Sequence, residues 1–124
     1  MLTDGAGGCY YAEMMGTRTW KLIEYLNAAS GWDYDGDHYM EIGERIQTLR
    51  QLFNIKHGIE PKSINLPKRM LGFPPLDNGP LKGVKLSTEE QVALHWKVFG
   101  WNEKTGHPLQ ETVDRLGIPE LLEL

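Results

Sequence analysis

The segment 38–56 reads HYMEIGERIQTLRQLFNIK and is the longest helical pattern in the chain of 124 residues. Its large apolar side chains recur every three or four residues, at Tyr39, Ile42, Ile46, Leu49 and Phe53. That spacing places them on one face of an α-helix. Asp35 or Asp37 can cap the start of the helix, and Gly58 can end it. We therefore predict a helix over His38–Lys56 whose apolar face is buried.

Shorter helices are predicted on both sides of this one. An apolar stripe from Trp20 to Leu26 predicts a helix from about Arg18 to Ala29, ended by Gly31. Ser87 and Glu90 have the spacing of a capping box, which starts a helix that runs to Gly100. Its predicted buried stripe is Val92, Trp96 and Phe99. Two short helices follow, at 108–116 and 119–123.

The segments Gly31-Trp32-Asp33 and Gly100-Trp101-Asn102 each follow a predicted helix. We interpret both as helix-ending turns in which the tryptophan packs on the helix that it ends. Strand patterns are nearly absent, since only Val84–Leu86 has any strand character. The prediction is an all-α fold, an irregular single domain over residues 1–124 with about four to five helices.

Residues 59–86 interrupt the helical pattern. They have neither helical nor strand periodicity, and they include Pro61, Pro67, Pro74, Pro75 and Pro80, which are five of the seven prolines. The segment is basic, whereas the sequence on either side is acidic. Its many apolar residues argue against disorder. We predict an extended, ordered strap that needs a surface to lie on.

Composition excludes several classes of function. With 13 Lys+Arg and 17 Asp+Glu, the net charge of −4 argues against nucleic acid binding. No apolar run is long enough for a membrane span, and no signal-peptide pattern begins the sequence, so a cytoplasmic location without membrane contact is expected. The one cysteine cannot form an internal disulfide or complete a four-ligand metal site, and the four histidines have no ligand-like spacing.

The segment 4–11, DGAGGCYY, is the candidate for chemistry. Its glycines permit close backbone approach to a ligand, while Asp4 and Cys9 offer a carboxylate and a thiolate. A glycine-rich start is also typical of a frayed terminus, and a lone cysteine is often a small buried apolar residue. The residues by themselves leave both interpretations open.

The spacing of Asp4, Gly7 and Cys9 resembles an Asp-x-x-Gly-x-Cys motif of the tungsten-containing aldehyde ferredoxin oxidoreductase family. Further segments resemble segments of the family and occur in the same order. The resemblance therefore extends over nearly the whole chain. These segments are ASGWD at 29–33, EIGERI at 41–46, LFN at 52–54, LPKR at 66–69, GPLKG at 79–83 and GWN at 100–102. The chain is thus similar to the C-terminal helical domain of that family.

The resemblance implies an enzyme that oxidises aldehydes to carboxylic acids and passes electrons through a 4Fe-4S cluster to ferredoxin. It further implies a tungsten, or sometimes molybdenum, bis-pterin cofactor. Cys9 would be one cluster ligand and Asp4 a pterin contact, with backbone donors at Gly7 and Gly8 around the cofactors. The family's N-terminal part, which carries the other three cluster cysteines, would be the partner. The isolated chain is expected to be inactive and without cofactor, and Gly8 stands where the family has a bulkier apolar residue.

Two other functions stay open at this point. The chain could be a non-catalytic helical interaction module that keeps the family fold and binds through the strap. It could also be a small metalloprotein whose oligomer brings several Cys9 thiolates together. Lys68 and Arg69 suit either docking or plain solvation. The remaining candidates are read as structural: His38, His57 and His107 in caps and turns, His95 in the core, Glu41, Glu44 and Arg45 as an exposed ion-pair face, and Met14, Met15 and Met40 as core filling.

Overall fold

The computed structural model describes residues 3, 11, 15 and 19–118. Over these residues the chain forms four α-helices: α1 (Thr19–Ser30), α2 (Gly36–Lys56), α3 (Glu89–Val98) and α4 (Gln110–Arg115). A single 3₁₀ turn covers Pro61–Ser63. The described residues contain no strand, and the residues of Val84–Leu86 form none. The all-α prediction is confirmed, while the helix predicted at 119–123 lies outside the described residues.

The side chain of Asn27 links α1 to α2 and to the turn between them. Its Nδ2 donates to the Tyr34 carbonyl at 2.8 Å, and its Oδ1 accepts from the Tyr39 hydroxyl at 2.7 Å. Gly31 ends α1 with φ of 76°, as a C′ glycine does. Tyr39 is only 3% exposed, so the amide fixes a buried aromatic residue of α2 against the end of α1.

The start of α2 is capped by Asp35, as predicted. Its Oδ1 accepts from the backbone N–H of His38 at 3.0 Å and lies 2.7 Å from Nδ1 of the His38 ring. These bonds move both pKa values. The side-chain hydrogen bond to Asp35 raises the pKa of His38, and the backbone hydrogen bond from His38 is the main cause that lowers the pKa of Asp35.

A pH dependence of stability follows from this cap. The contribution of Asp35 is present above its ordinary pKa and is lost as pH falls through the lowered one. The contribution of His38 is complete below its ordinary pKa and is lost as pH rises through the raised one. We expect His38→Gln to remove the loss of thermal stability that begins near neutral pH and to keep the acid-side loss, measured as Tm against pH. His57→Gln, at the other end of α2, is the control. Identical profiles for His38→Gln and the parent chain would contradict this assignment.

The core lies where the turn after α3 and helix α4 meet α2. Val113 and Leu116 are fully buried, and Phe99 and Trp101 are each 6% exposed. The Trp101 Nε1–H donates to Thr48 of α2 at 3.4 Å. The Thr112 hydroxyl of α4 donates to the Gly100 carbonyl at 2.7 Å. This turn therefore holds α4 against the middle of the longest helix.

The buried face of α2 differs from the prediction. Its buried residues are Tyr39, Gly43, Thr48 and Leu52, while Phe53 is 63% exposed. The other predicted stripe residues, Ile42, Ile46 and Leu49, are half-buried. Thr48 is buried because the Trp101 side chain packs at this position and donates to its hydroxyl. The apolar pattern correctly predicted the helix and the burial of Tyr39, but not the burial of Gly43 and Thr48.

Several predictions for α3 and the core were wrong. The helix begins after Thr88 without a side-chain cap, so the Ser87–Glu90 capping box is not formed. The helix itself contains no buried residue, and Val92 is 39% exposed. His95 is exposed rather than packed in the core, with its ring 4.6 Å from that of Phe99. Val92 and His95 are exposed because the described contacts of this helix lie towards its end, where Trp96 approaches Gly106 and Phe99 packs against Trp101.

The methionines do not fill the core as predicted. Met15 is 89% exposed and Met40 is 50% exposed, and Met14 lies outside the described residues. The two Gly-Trp turns also differ. Trp101 packs against Phe99 and His95 of the helix that it follows, as predicted. Trp32 is 52% exposed and contacts Tyr34 instead, so the prediction was wrong for that tryptophan.

Residues 59–86, the strap, fold back on themselves. The backbone N–H of Leu86 donates to the Leu71 carbonyl at 3.0 Å, and that of Gly83 donates to the Leu76 carbonyl at 3.0 Å. Gly72 sits at the crossing with φ of 78°, and a Cβ there would lie 2.4 Å from the Val84 carbonyl oxygen. The strap is thus an ordered loop that folds back on itself. Its first limb, which includes residues 70–76, contacts its second limb, which includes residues 81–86.

Candidate functional site

The four residues predicted to meet cofactors, Asp4, Gly7, Gly8 and Cys9, lie outside the described residues. Their placement stays a prediction. Thr3, which precedes them in the sequence, is described and is 7% exposed.

The described residues do not form a metal site of their own. No group of three or more His, Cys, Asp or Glu side chains in this part of the chain could hold a metal ion. The His38 ring pairs with Asp35, the residue that caps α2. The Nε2 of His107 lies 2.8 Å from Glu60 in an exposed contact that ties the start of the strap to the turn before α4. A metal site of three or more such ligands in this domain would therefore draw on residues outside the described part of the chain or on other protein.

Charged side chains between α2 and α4 serve the fold. Glu41 and Arg45 pair at 3.3 Å, as predicted, but Glu44 pairs with Arg115, which is 71 positions further along the chain. The hydrogen bond to Glu44 raises the pKa of Arg115. The Arg45 Nε–H also donates to the Leu116 carbonyl at 2.8 Å. These contacts use both arginines and close the end of α4 onto α2.

The strap carries an exposed apolar surface with a concavity of about 280 Å³. Residues from both limbs line it: Arg69, Met70, Gly72, Leu76, Leu81, Val84 and Leu86. Met70 is 63% exposed and Leu81 is 61% exposed. At its edge the Arg69 guanidinium donates to the Pro74 carbonyl at 3.1 Å, and the Lys85 ammonium lies 5.3 Å from the centre of the Phe73 ring. A cluster of this kind is typical of a surface that meets other protein.

A second concavity, of about 630 Å³, lies along the last turns of α2. The described residues that line it include Leu49, Leu52 and Phe53, with Arg50 and Lys56 as charged members. Phe53 was predicted to lie in the core, but its side chain is exposed and lines this concavity. Here too, apolar residues of a helical stripe are left uncovered by the described residues.

The exposure of apolar residues is general in this chain. Among the described residues, large apolar side chains on several elements are exposed, including Val98 at 73%, Tyr25 at 65% and Ile64 at 64%. Exposed apolar side chains in this number are typical of a domain that packs against further protein.

Comparison with known proteins identifies the family. A family model described as "Aldehyde ferredoxin oxidoreductase, domains 2 & 3" matches residues 1–118, which include the motif at 4–9. The chain belongs to the aldehyde ferredoxin oxidoreductase family and corresponds to a C-terminal part of it. The resemblance seen in the sequence is confirmed.

Individual relatives agree with the family match. The chain is 39% identical over 98% of its length to a tungsten-containing aldehyde ferredoxin oxidoreductase of Thermococcus kodakarensis. It is 38% identical over 96% of its length to proteins with the same name from Pyrococcus horikoshii and Pyrococcus furiosus. The chain spans about a fifth of the length of these relatives, since the matched share of each is 19 to 20%. None of the described helices has the length and apolar composition needed to cross a membrane.

The sequence did not predict several polar side chains that hold the helices and turns together. Asn27 joins α1 to α2, and Thr48 and Thr112 form the buried polar contacts around the Gly100–Trp101 turn. No sequence signal marks these polar residues, because each lies at an ordinary position in a helical segment. The concavity of the strap was equally invisible, because it depends on how two distant limbs cross.

Proposed function

We propose that this chain acts as the C-terminal domain of a tungsten enzyme that oxidises aldehydes to carboxylic acids and transfers the electrons to ferredoxin in the cytoplasm. The match of the family model to residues 1–118 carries this proposal. The names of the relatives support the tungsten chemistry. The chain matches only about a fifth of the length of each relative, which supports a partner that supplies the remaining part of the enzyme. The rest of the oxidoreductase would supply most of the active site.

Cys9 is proposed as one ligand of a 4Fe-4S cluster. The donor chemistry fits, because a thiolate is the usual protein ligand of iron in such clusters. This chain has one cysteine, so it can contribute one of about four ligands, and the other three must come from the partner. Backbone N–H groups at Gly7 and Gly8 would donate hydrogen bonds to the sulfur atoms, which tunes the reduction potential. A chain without its partner therefore holds no cluster.

Asp4 is proposed as a contact of the pterin cofactor. A carboxylate accepts hydrogen bonds from the N–H groups of a pterin ring, and the glycines that follow let the backbone approach that ring closely. The metal–pterin group, when bound, supplies the two-electron chemistry by which an aldehyde and a water become a carboxylic acid, two electrons and two protons. Whether the metal is tungsten or molybdenum is not encoded in these residues, and the relatives favour tungsten.

The described residues have a supporting role in this proposal. The buried contacts among α2, the Gly100–Trp101 turn and α4 make a fixed helical body in the part of the chain that the structure describes. Such a body would give the segment at 4–9 a rigid support.

The proposal is tested by a chimera in which this chain replaces the matching segment of the Thermococcus kodakarensis relative. Expressed with iron and tungstate, the chimera should reduce ferredoxin in the presence of an aldehyde. The relative truncated before that segment should not, and neither should the chain by itself. Equal activity in the truncated relative and in the chimera would overturn the proposal. An inert chimera that assembles stably would favour the alternative, a non-catalytic interaction module, which the exposed strap also suits.

A further inference from the structure

We propose that the strap concavity is the surface by which this chain docks onto the remaining part of the oxidoreductase, with an apolar side chain of that part seated between the two limbs. This inference rests on the proposed function and adds the site of contact. The concavity brings together Leu81, Val84 and Leu86 from one limb and Met70 and Leu76 from the other. Burying such side chains is the main favourable contribution in stable association.

The strap has the fixed shape that a docking surface needs. Its limbs are joined by the Leu86–Leu71 and Gly83–Leu76 backbone hydrogen bonds, both of 3.0 Å, and the Phe73 N–H donates to the Lys68 carbonyl at 2.9 Å. At the crossing, the backbone of Gly72 lies against that of Val84 with no room for a Cβ. A surface held in this way loses little conformational entropy on binding, so more of the contact energy appears as affinity.

Exposure is the second observation. Strap residues that would be core residues in an ordinary domain are open, including Ile64 at 64%, Met70 at 63% and Leu81 at 61%. The strap is tied to the rest of the described residues at its start, where Ile59 donates to the Asn54 carbonyl and Glu60 meets His107. The apolar side chains beyond this start are exposed and are available to a partner.

The occupant is the rest of the enzyme rather than a second copy of this chain. The relatives are about five times as long as the matched segment, so a large body of protein belongs beside this domain. A symmetric pair of straps would instead bring like charges together, because the strap carries Lys68, Arg69, Lys82 and Lys85 close in sequence to its apolar residues. A basic strap suits a partner surface that is apolar at its centre and acidic at its edge.

The test uses oxidation of Met70 as a footprint, read by peptide mapping after brief exposure to hydrogen peroxide. In the chimera described above, Met70 should oxidise at least about tenfold more slowly than in the isolated chain, because a docked partner covers it. Leu81→Asp in the chimera should return that rate to within about twofold of the isolated chain, since a carboxylate disfavours burial in an apolar contact.

Leu94→Asp is the matched control. Leu94 lies on α3 and, like Leu81, is 61% exposed. Leu94→Asp therefore introduces the same charge at an equally exposed leucine outside the strap. It should leave Met70 protected. Leu81→Ala, which keeps an apolar side chain, should give partial protection, and a circular dichroism spectrum of each variant reports whether the helices are intact.

The outcomes separate this inference from the proposed function. A chimera that contains its iron but leaves Met70 as reactive as in the isolated chain would overturn the docking surface and leave the proposed function in place. So would equal effects of the two aspartate substitutions. A chimera in which Met70 is protected but which contains no iron would support the docking surface and contradict the cluster role of Cys9.

Discussion

Replacing Trp101 with alanine is expected to lower the free energy of unfolding by about 4 kcal/mol, within the range for large-to-small changes at buried aromatic residues. The indole is 6% exposed and lies between the end of α3 and the middle of α2. Its ring centre is 5.1 Å from that of Phe99, and its N–H donates to the buried Thr48 hydroxyl. The substitution would leave a cavity and also an unpaired hydroxyl in the core, and both costs have the same sign.

The matched control is Trp32→Ala. Trp32 also follows a glycine at the end of a helix, but its side chain is 52% exposed. Its loss should cost about 1 kcal/mol or less, because roughly half of the apolar area is already in water. Urea unfolding followed by circular dichroism measures both values. Equal losses for the two tryptophans would show that the Trp101 turn is not the centre of the core.

The second large effect is expected at Gly100. This residue has φ of 64°, and an alanine Cβ would lie 2.2 Å from the Thr112 hydroxyl oxygen. That hydroxyl donates to the Gly100 carbonyl, so the clash falls on the contact that holds α4 in place. Gly100→Ala should therefore cost about 3 kcal/mol or more, combining left-handed strain with overpacking.

Gly117→Ala separates these two causes. Gly117 has a similar φ of 66°, but nothing lies within 4 Å of the position of a Cβ. Its substitution should cost about 1 kcal/mol, the strain by itself. If the two alanine variants unfold at the same urea concentration, the close approach of Thr112 to Gly100 contributes nothing to stability.

The helices could be predicted from the sequence because each has a periodic apolar pattern and a terminating glycine. The prediction of 38–56 was close to the observed Gly36–Lys56, and the cap at Asp35 was foreseen. The buried faces could not be predicted in the same way. Phe53 and Val92 looked like core residues but are exposed, while Gly43 and Thr48 are buried.

The reason is that buried residues of α2 and α4, such as Thr48 and Thr112, lie against the Gly100–Trp101 turn. Under the proposed function, other apolar residues would be covered by the rest of the enzyme. Hydrophobicity indicates which residues avoid water, but it does not indicate which protein covers them. The exposure of Phe53 and Leu81 shows that an apolar side chain in this chain need not lie in its core. The need of the strap for a surface stays a prediction, whereas the concavity that its limbs form was not foreseen.

The candidate site was available only through resemblance. Asp4 and Cys9 carry suitable donor groups, but a carboxylate and a thiolate five residues apart are common in proteins without cofactors. The family match over residues 1–118 supplies the context that the two residues lack. The described residues add an exposed apolar surface that would suit the partner which the proposal requires.

The most direct test of the account is the iron content of the chimera with Cys9 replaced. The parent chimera should contain about four iron atoms in the cluster that Cys9 completes. Cys9→Ala should lower the number to about three or fewer and change the EPR spectrum of the reduced cluster, because one iron loses its protein ligand. Ser87→Ala, an equally small change at an exposed position, should alter neither. A Cys9→Ala chimera that retains all of its cluster iron with an unchanged EPR spectrum would contradict the account.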